Sequence, residues 1–402
     1  MNKFRPYLLA AILGFGLLVL YGFRLDFPQK EYYDEIYHVT TAREYIALKG
    51  NTDTAHPPLG KVIMAGTIIL GGDHSWVWRT SALAGGIFSI LAFFYLSRKF
   101  FDSDWAAFLA SSLLSLDGMT MTQSRIAMLN TPMLFFMLLS LIFFLKVIET
   151  NRWPYYLLTG ICLGLTASTR WVGLGILPVL GMILAVHIPK IKKIDFILRS
   201  FFLILIPALI VYFAAHIILI YSKGFHWRDI LLYQKQMFDY HSKLKVTHLY
   251  ESQWWSWPVM IRPIWYFFES KSGIVNGILC VGNPAIFWMF FPALGYAVYH
   301  YLETRCTKTL FAIAGFFSQW LPWAFISRCK FFHYFHPAVP FEILIITIYL
   351  KALWNRQAPG KTLAAFYIIF VIGMFIYWYP LYNGYPISDA SFKNHMWFKN
   401  WI

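Results

Sequence analysis

An acidic pair placed directly after an apolar stretch is the first chemically loaded feature of the chain: Glu31 precedes Tyr32-Tyr33-Asp34-Glu35-Ile36-Tyr37-His38. Low dielectric near a membrane disfavours negative charge, so carboxylates there ask for a reason. A carboxylate with a raised pKa can take a proton from a hydroxyl nucleophile, and general-base catalysis of this kind is commonly worth about 10²- to 10⁴-fold. Asp34 or Glu35 would be the base; on spacing alone the pair also reads as two acids at the start of a short helix, facing water. Further on, His56-Pro57-Pro58-Leu59-Gly60-Lys61 combines a stiff approach with a proline that can open a helix without losing a backbone hydrogen bond. Its two donors, His56 and Lys61, could meet an anionic group, or the motif is simply a rigid lead-in to a helix.

Basic residues recur beside other apolar stretches: Arg79, Arg125, Arg170, Arg262, Arg328 and Lys330, with His333 and His336 just beyond. Arginine offers a planar fork of donors and lysine a point charge, so such a set can hold a lipid-linked phosphate at an interface. Singly, each also fits snorkelling toward lipid headgroups. Between them, His248-Leu249-Tyr250-Glu251-Ser252-Gln253-Trp254-Trp255-Ser256-Trp257-Pro258 leads to Arg262-Pro263-Ile264-Trp265. The faces of Trp254 and Trp255 could stack on sugar C–H surfaces, or the segment is an interfacial aromatic belt. Cys162, Cys280, Cys306 and Cys329 stand apart without a CxxC spacing, which indicates neither a zinc site nor a disulfide framework.

The elements that must position these groups are set by composition. Of 402 residues, 58% are apolar, 20% aromatic and only 13% charged, with a mean hydropathy of +0.54, against about 25% charged in soluble domains. An ordinary soluble domain is excluded. The formal charge of +15 would point to nucleic acid in a soluble protein; here the cations sort by membrane side, and no nucleic-acid partner is expected. Apolar runs place about eleven spans, at 6 to 23, 76 to 97, 104 to 116, 131 to 148, 155 to 169, 172 to 188, 195 to 219, 279 to 300, 309 to 326, 337 to 354 and 361 to 379. Lys3 and Arg5 precede the first, which lacks a cleavage site before Arg24 and reads as an uncleaved span. With a cytoplasmic N-terminus, Arg98/Lys99, Lys146/Arg152, Lys190/Lys192/Lys193, Arg305/Lys308 and Arg356/Lys361 all fall on the cytoplasmic face. Segments at about 24 to 75 and 220 to 278 and the tail from Pro380 are then external, and their aromatic residues, among them Trp227, Trp257, Tyr266, Phe267 and Phe268, suit interfacial helices. The chain thus divides into an N-terminal module (1–219), an aromatic external loop (220–278) and a C-terminal four-span module with an external tail (279–402).

Taken together, YYDEIYH, HPPLGK, LDGMTMTQSRIAMLN, GLTASTRWVGL, HLYESQWWSWPVMIRPIW, GNPAIFW, LPWAFISRCKFFHYFHPAVPF and NGYPISDASFKNHMWFKNWI resemble the protein O-mannosyltransferase family, nearly end to end. The resemblance implies an all-α polytopic membrane protein with the GT-C glycosyltransferase fold, of the compact bacterial type in the cell (inner) membrane. It implies inverting transfer of mannose from polyprenyl-phosphate-mannose to Ser or Thr hydroxyls of secreted or membrane polypeptides on the external face. Asp34 is then the base and Glu35 its structural or binding partner. His56, Lys61, Arg125, Arg170, Trp254, Trp255, Arg262, Arg328, Lys330 and His333 are the candidate substrate contacts. A one-phosphate leaving group does not compel a metal, so no cofactor and no divalent ion is expected. Besides donor, acceptor and bilayer, a dimer or an association with the secretion channel fits as a partner. Two positions depart from the family pattern: Asn130 where an Asp is usual, which bears on charge balance around Arg125, and Arg170 where a Lys is usual. A related lipid-carrier enzyme acting on a lipid or glycan, or with another sugar, would use the same fold and base. A transporter or flippase would need mid-membrane ionisable groups and half-repeats, which the sequence does not offer.

Overall fold

The computed structural model describes residues 4–187, 193–243 and 246–402; Lys3, Lys190 and Lys192, invoked above for orientation, lie outside the described residues, as does the side chain of Lys193. The chain is helical nearly throughout. In order come α1 (Arg5–Gly22), α2 (Glu35–Ile46), α3 (Leu59–Gly71), α4 (Ser75–Phe101), α5 (Asp104–Ser115), α6 (Gly118–Gln123), α7 (Asn130–Thr150) and α8 (Trp153–Thr169). A 3₁₀ turn (Trp171–Ile176) leads into α9 (Leu177–His187), followed by α10 (Lys193–Ser200), α11 (Ile206–Ala215), α12 (Ile217–Lys223) and α13 (Trp227–Lys243). The C-terminal part holds α14 (Pro284–Thr304), α15 (Thr307–Trp320), α16 (Val339–Trp354), α17 (Ala358–Asn383) and α18 (Asp389–His395).

Seven helical stretches among the described residues are long and apolar enough to cross a membrane: Arg5–Gly22, Ser75–Phe101, Asn130–Thr150, Ile194–Lys223, Pro284–Thr304, Phe332–Trp354 and Ala358–Asn383. The other four expected spans overlie α5, α8, α9 with its preceding turn, and α15, which are shorter. At 1.5 Å per residue, the 12 residues of α5 cover about 18 Å, well short of about 30 Å of hydrocarbon. Burial separates centre from rim: 67% of the apolar window of α4, 61% of α7 and 72% of 332–354 is buried, against 11% of 194–223. Small residues let backbones meet where packing is closest. A Cβ on Gly160 of α8 would stand 2.4 Å from the Ile204 carbonyl oxygen, and one on Gly164 would stand 2.7 Å from that of Ala208, the close approach a GxxxG spacing permits.

The aromatic segment after α13 departs from the expected interfacial helices. Residues Trp254–Val259 form a 3₁₀ turn, and β1 (Ile264–Lys271) pairs antiparallel with β2 (Ile274–Cys280), which also pairs with β3 (Ile387–Ser388). Trp265, Tyr266, Phe267 and Phe268 favour a pleated strand over a helix. Ser272 and Gly273, both at positive φ (53° and 77°), supply the mirror-image turn that closes a two-residue hairpin. Among the described residues of this loop, only α13 is a long helix.

Ion pairs collect Lys99, Lys146 and Lys308 at one end of the bundle, with Lys99 and Lys146 on Glu149 and Lys308 on Asp102. Arg79 and Lys99 sit at opposite ends of the 27-residue α4, about 30 Å apart at helical rise. The acidic pair Asp34-Glu35 belongs to the Arg79 end.

Candidate active site

Asp34 is the N-cap residue of α2, yet its side chain caps nothing. Among the described residues its carboxylate makes no hydrogen bond and no ion pair, and its side chain is partly open. Tyr33, immediately before it, is held at φ 53°, a conformation costly for a bulky residue that persists only where the surroundings enforce it. They do: the Tyr33 ring packs on Tyr266 of β1 at 4.5 Å and edge-on to His333 at 6.0 Å between centroids. Desolvation raises the pKa of Asp34 above the ordinary aspartate range, with His38 and Arg170 pulling the other way. A partly desolvated carboxylate with free lone pairs is what a general base requires.

Glu35 does a different job. It is completely buried, and Arg79 grips it in a two-pronged pair, Nε to Oε1 at 2.8 Å and Nη2 to Oε2 at 2.9 Å. The Ala127 and Tyr32 amides also donate to it, at 2.8 and 3.3 Å. All its acceptor capacity is used, so Glu35 fastens the start of α2 to α4 and to the turn before α7. The sequence singled out Arg79 as basic without linking it to Glu35; a fixed separation of 44 residues carries no pairing signal.

Arg170, whose charge acts on Asp34, lines a groove of about 270 Å³ between the turn after α8 and the end of α15. Arg170, Arg328, His56, His241 and Gln319 supply its polar lining, and Trp171, Trp323 and Ile326 its apolar walls. Arg170 and Arg328 both lie over the ring of Tyr334, at 5.1 and 5.3 Å, and Arg328 Nη2 donates to the Tyr334 hydroxyl at 2.8 Å. Gln319 is nearly fully buried with both amide atoms unpartnered. His333, behind Tyr33 and parallel to Phe331, likewise has two unpartnered ring nitrogens. Burial pushes His241 down to about 4 and His56 well below the usual histidine range, with the nearby arginine charges acting in the same direction. At neutral pH the positive charge of the groove is therefore that of its arginines.

Other sequence candidates lie elsewhere. Lys61 is fully buried, its ammonium on Asp53 Oδ2 at 3.0 Å and on the carbonyls of Asp53 and His56; it closes its own loop and is not part of the groove lining. Arg125 donates to the carbonyls of Tyr21 and Arg24, latching the end of α1. Arg262 holds the Leu249 and Asn400 carbonyls, and Lys330 the Ile326 carbonyl at 2.6 Å. Trp255 is exposed, whereas Trp254 packs on Trp320 and accepts its indole N–H. Asn130 balances Arg170 and not Arg125: its Oδ1 accepts from Arg170 while its amide N–H donates to Gln123 Oε1. The hydrogen-bond partner of Arg170 is thus a neutral amide and not a carboxylate. The sequence also passed over Asp53, His241, Gln319 and Tyr334, which no short motif ties together. Among the described residues no three His, Cys, Asp or Glu side chains converge to hold a metal ion.

Residues 11–221 match the family described as dolichyl-phosphate-mannose-protein mannosyltransferase, and residues 226–401 match the C-terminal four-span region of protein-O-mannosyltransferase. A polyprenol-phosphate-mannose–protein mannosyltransferase of Corynebacterium glutamicum is 25% identical over 86% of this chain and 81% of its own length. One from Mycobacterium tuberculosis is 22% identical over 93% and 86%. In fold, the Saccharomyces cerevisiae protein O-mannosyltransferase Pmt1-Pmt2 complex bound to the sugar donor superposes with a TM-score of 0.88 at 15% identity, covering 100% of this chain and 93% of that one. ArnT from Cupriavidus metallidurans bound to undecaprenyl phosphate gives 0.59 at 15%, covering 93% and 74%.

Proposed function

The chain belongs to the protein O-mannosyltransferase family of membrane glycosyltransferases, and from that premise we propose that it transfers mannose from polyprenyl-phosphate-mannose to Ser or Thr hydroxyls of secreted or membrane polypeptides, with inversion at the sugar carbon. The relatives that share most of its length carry names specifying this donor and a protein acceptor. One observation supports the site assignment above all: the unpartnered Asp34 carboxylate feels the charge of Arg170, which with Arg328 lines a groove with apolar walls.

Asp34 takes the proton of the acceptor hydroxyl as its oxygen attacks the sugar carbon. Arg170 and Arg328 hold the lipid phosphate, on which negative charge grows as the glycosidic bond stretches. Preformed cations aimed at that charge stabilise the transition state more than the ground state. Two guanidiniums match the charge of a phosphate monoester leaving group, so we assign no role to a divalent ion. The Asp34 end of the bundle is the external one and the Lys99 end the cytoplasmic one, in keeping with the positive-inside rule and a bacterial inner membrane.

The experiment is transfer by purified protein in detergent, with radiolabelled polyprenyl-phosphate-mannose and either a Ser/Thr-rich peptide or a lipid extract as acceptor. Label on the peptide, absent from an Ala-substituted control, supports the proposal. Label confined to the lipid would move the chain to the lipid-modifying reading.

A further inference from the structure

His38 has no part in the reaction as proposed, yet its placement is unusually constrained. It follows Asp34 by four residues, and its backbone N–H donates to the Asp34 carbonyl at 3.1 Å, so the two side chains leave the same face of α2 one turn apart. The ring is 4% exposed, and Nδ1 lies 3.2 Å from Asp53 Oδ2, an ion-pair distance without the alignment of a full hydrogen bond. Asp53 is itself pinned: Lys61 Nζ sits on Oδ2 at 3.0 Å, the Ala55 N–H donates to Oδ1 at 2.9 Å, and the Asp53 N–H donates to Thr41 Oγ1 at 2.8 Å. Burial alone would raise the pKa of Asp53; Lys61 and His38 more than offset this and keep it well below the ordinary carboxylate range. An anionic carboxylate behind one ring nitrogen orients a histidine.

Around Asp34 the other charged and titratable groups are Arg170, His248, Asp53 and the phenols of Tyr33, Tyr240, Tyr266 and Tyr334, while His56 stands beyond His38 at 6.1 Å between rings. Arg170 points at the groove assigned to the donor. When an anionic phosphate binds there, it takes up the charge of Arg170 and adds a negative one, both of which favour protonation of Asp34 just when it must be ionised. His248 is exposed. The buried group on the side of Asp34 itself that acts against the rise in its pKa is His38, one turn along α2.

We propose that His38, oriented by the Asp53–Lys61 pair, is a positioning residue that keeps the Asp34 carboxylate ionised in the donor-bound enzyme. The inference rests on Asp34 being the base. Its signature is a larger effect on the bound enzyme than on the free one, and kcat reports the former while kcat/KM reports the latter.

The test uses full-length protein in detergent, polyprenyl-phosphate-mannose and a Ser/Thr peptide, with pH profiles for His38→Gln, which keeps an amide toward Asp53 without charge, and His38→Lys, which places a cation at that position. In His38→Gln the acid limb of kcat should move up by at least about half a pH unit, roughly a 3-fold loss on that limb, with a smaller shift in kcat/KM. His38→Lys should return the limb toward its wild-type position. Should His38→Gln not fold, Asp53→Asn combined with Lys61→Met removes the anchor without stranding a buried charge and should move the limb the same way. A limb that stays put overturns the inference, whether or not overall activity falls. Asp34→Asn, run alongside, separates the two levels: wild-type turnover there removes the base and the inference together, whereas an inactive Asp34→Asn with an unmoved His38→Gln limb removes the inference alone.

Discussion

Replacing Glu35 by Gln should cost stability before it costs chemistry. In the structure Glu35 receives four donors, two from Arg79 at 2.8 and 2.9 Å and two backbone amides at 2.8 and 3.3 Å. Arg79 spends its other donors on the carbonyls of Leu25 and Lys30. The substitution removes the charge that compensates a fully buried guanidinium and turns an amide N–H toward other donors. Breaking such a pair from one side costs about 3–5 kcal/mol, and the oxygen that Gln retains puts the expected loss near the lower end, about 3 kcal/mol. That is a large part of a typical stability of about 5–15 kcal/mol. Unfolding in detergent across Glu35→Gln, Arg79→Met and the double variant measures the coupling directly, and the double should lose at least about 1–2 kcal/mol less than the sum of the singles. Below its unfolding temperature, Glu35→Gln should keep kcat within about 10-fold of wild type, because Asp34 remains to serve as base. A Glu35→Gln protein of unchanged stability with transfer lost by two orders of magnitude would refute this reasoning and make Glu35 a participant in the chemistry.

Other consequences are open to measurement. Arg170→Gln and Arg328→Gln each remove charge-assisted bonds worth about 1.5–3 kcal/mol, so donor kcat/KM should fall about 10- to 100-fold while thermal stability changes little; an unaffected donor kcat/KM in both would move the phosphate elsewhere. Because His241 is pushed down to about 4 and so stays neutral at neutral pH, donor KM should be flat between about pH 6 and 8, and a KM that climbs with loss of a histidine proton in that window would contradict the groove assignment. The raised pKa of Asp34 places the acid limb of transfer above the usual range of about 4 for an aspartate, with activity lost as pH falls through it and the carboxylate protonates; full activity at pH 4 would exclude that base. Transfer should survive excess chelator, and its abolition with rescue by one divalent ion would reject a purely cationic phosphate site.

The sequence made the large features legible because they are written in local patterns. Among the described residues, apolar runs mark every helix long and apolar enough to cross a membrane, and the acidic pair, HPPLGK and the aromatic segment mark where the polar chemistry lies. What it withheld depends on pairing across distance. Asp34 and Glu35 are chemically similar neighbours, and only the 44-residue link from Glu35 to Arg79 separates an open carboxylate from a saturated one. Lys61 and Arg125 look like phosphate ligands in a list of cations, but Asp53 and the carbonyls at the end of α1 already hold them. Asn130 reads as a lost charge near Arg125 until the fold hands it to Arg170. Trp265 to Phe268 match a membrane belt in composition and a strand in propensity, and pairing with β2 decides between them.

Mannose transfer by Asp34→Asn, from radiolabelled polyprenyl-phosphate-mannose to a Ser/Thr peptide, bears most directly on the role given to that carboxylate. The substitution touches no hydrogen bond or ion pair of the Asp34 side chain among the described residues, so the protein should fold and bind donor as wild type does. Transfer should drop by at least about 10²-fold, the scale of losing a general base; a folded variant that still turns over at the wild-type rate would contradict it.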